Sequence, residues 1–217
     1  MSLSLGVKGF SVGPLQENCW LVSDSVSATA VLVDPGDEAA RLLAAVEKSA
    51  CTLQAIWLTH AHFDHVGAVE GILREIDVPV LMHPLDQTLY GFASASALRF
   101  GLSIEQPTAP TVPVAEGDVL RLGDAEFVVW HLPGHAPGHV AFVGAGLCMS
   151  GDVLFAGSIG RTDLPGCDPR AMQHSLERLL TLPDDIRVLP GHGEPTSIAR
   201  ERAGNPFLRG LARPIGA

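Results

Sequence analysis

The sequence predicts an α/β fold, and three observations carry that expectation. Short apolar runs of strand length intermix with segments of helical periodicity along the whole chain. Hydrophobic residues make up 47% of the 217 residues and charged residues 18%, which is enough apolar material for a sizeable core and too little charge for a disordered chain. Several apolar runs end in a loop bearing His or Asp with glycine beside it, as when a site is built from loops at one edge of a rigid sheet. No Pro/Ser linker or shift in composition divides the chain, so residues 1–217 are expected to form a single domain.

The elements follow in order. Residues 19–23 and 29–34 are short apolar runs that read as strands, the second ending in Asp34-Pro35-Gly36. Residues 37–49 read as a helix, with Asp37 as N-cap or first-turn acid and Leu42, Leu43 and Val46 as its apolar stripe. A buried strand is expected over 53–59. Val66, Val69, Leu73 and Ile76 then recur at helical spacing, and 78–82 reads as a short strand. Residues 85–100 are expected to be helical and 101–117, rich in Pro and Gly, irregular. Strands are expected over 119–122, 126–132, 140–143, 147–150 and 186–189. A helix over 169–182 has Pro169 in its first turn, and a short helix covers 196–203. Residues 133–139 and 151–168 are expected to be loops.

Composition narrows the function. Asp and Glu number 24 against 14 Lys and Arg, a formal net charge of −10 with no basic run, so neither nucleic acid nor an anionic membrane is an expected partner. Cys19, Cys51, Cys148 and Cys167 are far apart and form no CxxC pair, which argues against a disulfide scaffold or a cysteine-rich zinc site. The first 20 residues lack the apolar core of a signal peptide, and no apolar stretch reaches about 18 residues, so a cytoplasmic location is expected. Oligomeric state is not legible.

The chemistry lies in the nine histidines. His60-x-His62-x-Asp64-His65 directly follows a predicted buried strand. Imidazole and carboxylate together suit Zn, Fe and related ions. In an extended segment residues 60 and 62 point the same way and can hold one ion; Asp64 and His65, after the chain turns, can face a second. The helical HExxH spacing is absent. His135, Asp152 and His192 each follow a strand with glycine beside them, and glycine permits the backbone that aims a side chain inward.

The series His60, His62, Asp64, His65, then Pro-Gly-His135, Ser-Gly-Asp152 and Pro-Gly-His192-Gly resembles the metallo-β-lactamase superfamily. The likeness runs from Asp34-Pro35-Gly36 through His192, and the Gly157–Gly166 segment resembles the compact glyoxalase II-like branch. It implies a four-layer αββα sandwich with a two-metal site at one edge of the sheets. It also implies a role for each residue: His60, His62 and His135 on one ion, Asp64, His65 and His192 on the other, and Asp152 bridging both. The implied cofactor is two divalent cations, zinc foremost, with iron and manganese also compatible. The presence of both Asp64 and His65 places the chain nearer glyoxalase II-type hydrolases than true metallo-β-lactamases.

The implied chemistry is hydroxide attack on a carbonyl, with Asp64 orienting the nucleophile. A thioester suits it as substrate, because a thiol of pKa about 8.5 leaves without a strong general acid. Arg161 is either a cation for an anionic substrate or the partner of Asp163. His139, His131, His83 and His174 read as structural or supporting, Cys167 as incidental. Tyr90, the only tyrosine, offers little for tyrosine-assisted lactone chemistry. The helical domain that supplies basic residues for glutathione in larger glyoxalase II enzymes is not expected here, nor is the large insertion of the superfamily's RNA nucleases. The alternative is a mononuclear iron persulfide dioxygenase of the same fold, using His60, His135 and Asp152. A non-catalytic module would have eroded ligands, and all seven are present.

Overall fold

The computed structural model describes residues 5–109 and 111–213. The first half builds a sheet whose strands lie in sequence order: β1 (Leu5–Val12), β2 (Glu17–Asp24), β3 (Thr29–Val33), β4 (Thr52–Trp57), β5 (Val80–Met82) and β6 (Thr111–Pro113). The first three are antiparallel; from β3 to β6 the pairing is parallel. Parallel neighbours need crossovers. These are supplied by α1 (Ala39–Lys48), by the short helices α2 (Phe63–Val66) and α3 (Val69–Leu73), and by α4 (Gln87–Gly91) and α5 (Ala93–Arg99).

The second half contains β7 (Val119–Leu122), β8 (Ala125–His131), β9 (Val140–Gly144), β10 (Leu147–Gly151), a hairpin of β11 (Leu154–Phe155) and β12 (Ser158–Ile159), α6 (Pro169–Leu179), β13 (Arg187–Pro190), β14 (Thr196–Ser197) and α7 (Ile198–Gly204). Its sheet has the order β14-β13-β10-β9-β8-β7, with only β10 and β13 parallel.

Three hydrophobic clusters separate four layers. Leu32, Leu42, Ile56 and Ile72 lie between the first sheet and its helices. Val31, Val33, Trp57, Phe127, Phe142 and Met149 fill the space between the sheets. Cys148, Met172, Leu176 and Val188 lie between the second sheet and its helices. The period of two along a strand explains this division. In β3, Ala30 and Leu32 face the helices while Val31 and Val33 face the other sheet. A strand covered on both faces reads as a continuous apolar run, which is why β2, β3 and β10 are legible in the sequence. Trp57 anchors the middle, with ring centroids 5.6 Å from Phe127 and 5.2 Å from Phe142. The molecule is thus the expected αββα sandwich.

Several local expectations are corrected. β1 lies in a segment with no strand signal: it is an edge strand with only Phe10 and Val12 buried, and two glycines and a lysine blunt its pattern. The helix expected from Asp37 starts at Ala39, because Glu38 sits at φ 57° and Asp37 Oδ1 accepts the Glu38 N–H instead (2.6 Å). The helical stretch after His65 is two short helices. That expected over 85–100 is a 3-10 turn at Pro84–Asp86 followed by α4 and α5, which meet at Gly91-Phe92. The expected irregular 101–117 segment contains β6, and the 151–168 loop contains the β11–β12 hairpin. At α6, Asp168 caps the helix by accepting from Arg170 and Ala171 N–H (2.9 and 3.1 Å), with Pro169 at its start as expected. Among the described residues no helix is long and apolar enough to cross a membrane.

Strand direction decides where the site lies. β3 and β4 are parallel, so both end at the same edge of the first sheet. In the second sheet β8, β10 and β13 run one way and β9 the other. The loops after β8, β10 and β13 therefore share an edge too. Hydrogen bonds join the two edges. Asn18 N–H donates to Gly191 O (2.7 Å), the Trp20 indole N–H to Pro190 O (3.1 Å), and Val140 N–H to Thr59 O (2.7 Å).

Candidate metal centre

Each chemically active side chain stands just past a strand end at this shared edge. His60 follows β4 and is fully buried. His62 is the extended residue that precedes α2 (φ −66°, ψ 149°), and the α2 turn carries Asp64 and His65 back toward the same space. His135, Asp152 and His192 follow β8, β10 and β13. Gly151 turns the chain with φ 47°, which L side chains rarely adopt, and a Cβ there would crowd Thr59 Oγ1 and His139 Nε2. At Gly191 a Cβ would collide with Asp152 Oδ1. The glycine flanking Asp152 and the one before His192 thus make room for the cluster itself.

The expected ligands supply two groups whose ligand atoms all lie within 4.8 Å of one another, His60, His62 and His135, and Asp64, His65 and His192; a third such group joins Asp34 to His60 and His65. His62 Nδ1 is 2.8 Å from His135 Nε2. Asp152 stands between the first two groups. Its Oδ2 is 3.4 Å from His135 Nε2 and 3.6 Å from His192 Nε2, and its Oδ1 is 3.5 Å from His65 Nε2. Asp64 Oδ2 lies 3.4 Å from His192 Nε2.

The electrostatics favour ligation in the first group. Burial, then the charges of His65 and the neighbouring imidazoles, hold His60 well below the usual histidine range. Burial and then His135 push His62 down to about 3, and burial lowers His135. These imidazoles are neutral near neutral pH, and each keeps one nitrogen lone pair. Burial opposes ionisation of Asp64 and Asp152, but His65 and the other histidines around them together outweigh it and hold both carboxyls below the usual carboxylate range. His60 Nε2, His65 Nε2 and Asp152 Oδ1 are buried and have no hydrogen-bond partner. Such atoms cost about 1–3 kcal/mol each when left unsatisfied. Three of them, all of ligand type, sit in one cluster. A nitrogen and carboxylate donor set of this kind fits divalent Zn, Fe or Mn.

A supporting layer orients the cluster. Asp34, just after β3 at φ 50°, accepts from Thr59 N–H (2.7 Å) and Thr59 O–H (2.6 Å), and its Oδ2 lies 3.1 Å from His65 Nδ1. Thr59 Oγ1 in turn is 3.0 Å from His60 Nδ1. His139 Nε2 accepts the Asp152 N–H (3.0 Å), and His131 Nε2 contacts Pro137 O (2.9 Å). Asp86 is fully buried and accepts from Ala61 N–H (3.0 Å) and Gly138 N–H (2.5 Å), tying the loops of His60 and His135 together. Glu17, 1% exposed, faces the same His65 nitrogen at 3.7 Å, and burial raises its carboxyl well above the usual range. Sequence reasoning missed Asp34, Asp86 and Glu17 as parts of the site. For Asp34 a signal existed in the Asp-Pro-Gly at a buried strand end; for the other two there was none, because only tertiary packing brings them near.

A cavity of about 810 Å³ opens over the cluster. His62, Asp64, His135, Asp152 and His192 form its floor. Arg161 stands on its wall, with its guanidinium bound bidentately to Asp163 (2.7 and 2.9 Å) and its carbonyl 2.8 Å from His135 Nδ1. Both roles weighed for Arg161 are thus geometrically open to it. Cys167 Sγ contacts His135 O at 3.0 Å and does not line the cavity. Tyr90 is buried in the helix-side core, away from the cavity. His174 is exposed on α6, and His83 stacks on His131 with centroids 4.3 Å apart.

Comparison with known proteins gives consistent matches. The family model of the metallo-beta-lactamase superfamily matches residues 12–192. A probable metallo-hydrolase, YqgX of Bacillus subtilis, is 39% identical over 93% of this chain and 96% of its own. The hydroxyacylglutathione hydrolase GloC of Haemophilus influenzae is 37% identical over 94% and 98%. Among solved structures, TTHA1623 in a di-iron-bound form is 50% identical with TM-score 0.86, covering 93% of this chain and 100% of that one. The B3 metallo-beta-lactamase BLEG-1 is 35% identical with TM-score 0.87, covering 94% and 99%. ETHE1 from Myxococcus xanthus is 27% identical with TM-score 0.78, covering 94% and 85%.

Proposed function

Because this chain belongs to the metallo-beta-lactamase superfamily, a family of metal-dependent enzymes, we propose that it is a dinuclear metal hydrolase of the glyoxalase II type, acting on an acylglutathione-like thioester. The observation that carries this reading is the placement of Asp152 between two three-residue groups, with partnerless buried ligand atoms at their centre. In it, His60, His62 and His135 would hold one cation and Asp64, His65 and His192 the other, with Asp152 placed between the two groups. When bound there, divalent cations would lower the pKa of water toward about 7 and provide electrophilic stabilisation for a carbonyl oxygen.

The chain's own residues do the rest. Asp64 is ionised, partly open to the cavity, and able to accept a hydrogen bond from the attacking water and fix its direction. Asp34 and Thr59 keep His65 and His60 oriented, as carboxylate and hydroxyl partners of ligating imidazoles commonly do. No general acid is needed for a thiolate leaving group. The identity to GloC supports the acylglutathione class.

A second reading, a mononuclear iron persulfide dioxygenase using His60, His135 and Asp152, draws on the similarity to ETHE1; the di-iron-bound TTHA1623 supports iron as the metal but holds two ions rather than one. The dioxygenase reading leaves Asp64, His65 and His192 without a task, so we place it second. Metal analysis of protein purified without chelator or added metal separates the two. About two ions per chain with chelator-sensitive hydrolysis of S-lactoylglutathione supports the hydrolase. One iron per chain, with oxygen consumed on glutathione persulfide and no thioester turnover, replaces it by the dioxygenase. A β-lactam assay tests for a side activity in view of the likeness to BLEG-1.

A further inference from the structure

One wall of the cavity is built by one face of α4 and α5, the residue between them and the residue that ends them. Thr88, Phe92, Ala95, Ser96 and Arg99 line it at three- and four-residue spacing, whereas Tyr90, Ala93 and Ala97, on the other face, are buried in the core. Two features of this wall stand out. The first is exposed aromatic surface: Phe92 is 65% exposed and Phe100 47%, and both border the cavity. Apolar surface gathered at the mouth of a site is the usual mark of a ligand contact. The second is charge. Outside the metal cluster the cavity's charged lining residues are Arg99 and Arg161. Arg161 already shares its fork with Asp163. For Arg99 the structure records no ion pair or hydrogen bond among the described residues, in a protein of net charge −10.

We propose that this helical wall is the specificity surface of the enzyme. Phe92 and Phe100 cover an apolar segment of the substrate, and Arg99 binds an anionic group held away from the reacting carbonyl. The substrate class is therefore an anionic, partly apolar thioester. This rests on the hydrolase reading for its reaction but not for its binding test.

The turnover arm compares three thioesters. One is neutral, the butyryl ester of N-acetylcysteamine. One carries its anion on the acyl side, the glutaryl ester of N-acetylcysteamine, and one on the thiol side, the butyryl ester of 3-mercaptopropionate. Arg99→Ala is expected to raise KM for at least one anionic ester relative to the neutral one about 10-fold, and the affected ester shows which end Arg99 reads. Arg99→Lys should recover part of the loss. Phe92→Ala should raise KM for all three. The binding arm needs no catalysis. It titrates the metal-loaded protein with 8-anilinonaphthalene-1-sulfonate and with its uncharged analogue N-phenyl-1-naphthylamine. Arg99→Ala should weaken the sulfonate relative to the neutral probe about 10-fold, and Phe92→Ala should weaken both. Equal effects of Arg99→Ala on charged and neutral members, in both arms, overturn the proposal. If no thioester turns over yet the probes still discriminate, the hydrolase reading fails and the anionic apolar subsite stands.

Discussion

Asp152 concentrates the chemistry of the site in one carboxylate. It is buried, it stays ionised, and its two oxygens face His135, His192 and His65. Asp152→Ala is expected to cut bound metal to one ion per chain or fewer and turnover by at least about 100-fold, while near-UV circular dichroism stays native. Two ions and wild-type turnover in that variant would disprove the bridging role. Asp34 acts one step further out. Removing its carboxylate strands the Thr59 N–H and leaves His65 without its orienting partner. Asp34→Ala should weaken metal binding about 10–100-fold, read by competition with a chromogenic chelator. Unchanged metal affinity would reduce Asp34 to a structural residue. At this scale the histidine motif was legible because ligands close in sequence leave a spacing pattern. The Asp34–His65 pair was not, since 31 positions separate its members.

At the scale of elements, two of the four loops that carry the candidate ligands, those of His60 and His135, come from different sheets and share a tie. Asp86 provides one, accepting one N–H from each loop, beside the Val140 N–H to Thr59 O bond. Burial raises its carboxyl to about 6 from the ordinary 3.8, against the pull of those two hydrogen bonds. The folded state therefore binds this proton more tightly than the unfolded chain does. Stability contributed by Asp86 falls as pH rises from about 4 to about 6 and is flat outside that window. Asp86→Asn has no such proton and presents an N–H to one of the two donors. In metal-free protein, urea titrations should show the variant less stable than wild type by about 1–3 kcal/mol at pH 7, and by more at pH 4. A gap that narrows at pH 4 contradicts this account. Elements were legible where both faces are buried, as in β3 and β10. They were missed where a strand lies at an edge, as β1 does, spans only two residues, as β11 and β12 do, or spans three without an apolar run, as β6 does, whereas the equally short β5 was legible in its apolar run.

The whole molecule holds four layers with three cores, and the metal cluster sits where the edges of the two sheets meet. Metal binding is therefore coupled to the docking of one sheet on the other. Removing metal by dialysis against a chelator should lower Tm by roughly 10 °C, from about 4 kcal/mol of binding linkage at a thousandfold excess over Kd in a chain of this size. Adding back zinc, iron or manganese should restore it, and the most effective ion identifies the preferred metal. An unchanged Tm would separate the cluster from the stability of the fold. The middle core makes a second claim at this scale: Trp57 is 2% exposed and packs on two phenylalanines from the opposite sheet. Trp57→Ala should cost about 3–5 kcal/mol in denaturant unfolding, with a loss under about 1 kcal/mol contradicting its place in the inter-sheet core.

The sequence by itself determined the alternation of strands and helices, the loops that carry His60 to His65, His135, Asp152 and His192, and the αββα family to which such a series belongs. These are local facts: burial on both strand faces writes an apolar run, and glycine beside a ligand marks a sharp turn. Only the tertiary structure decided that β3, β4, β8, β10 and β13 end at one common edge and that Asp152 stands between two histidine groups. It alone placed Asp34, Asp86 and Glu17 behind the cluster and Arg99 on the cavity wall. These follow from strand direction and sheet packing, which join residues with no fixed spacing along the chain.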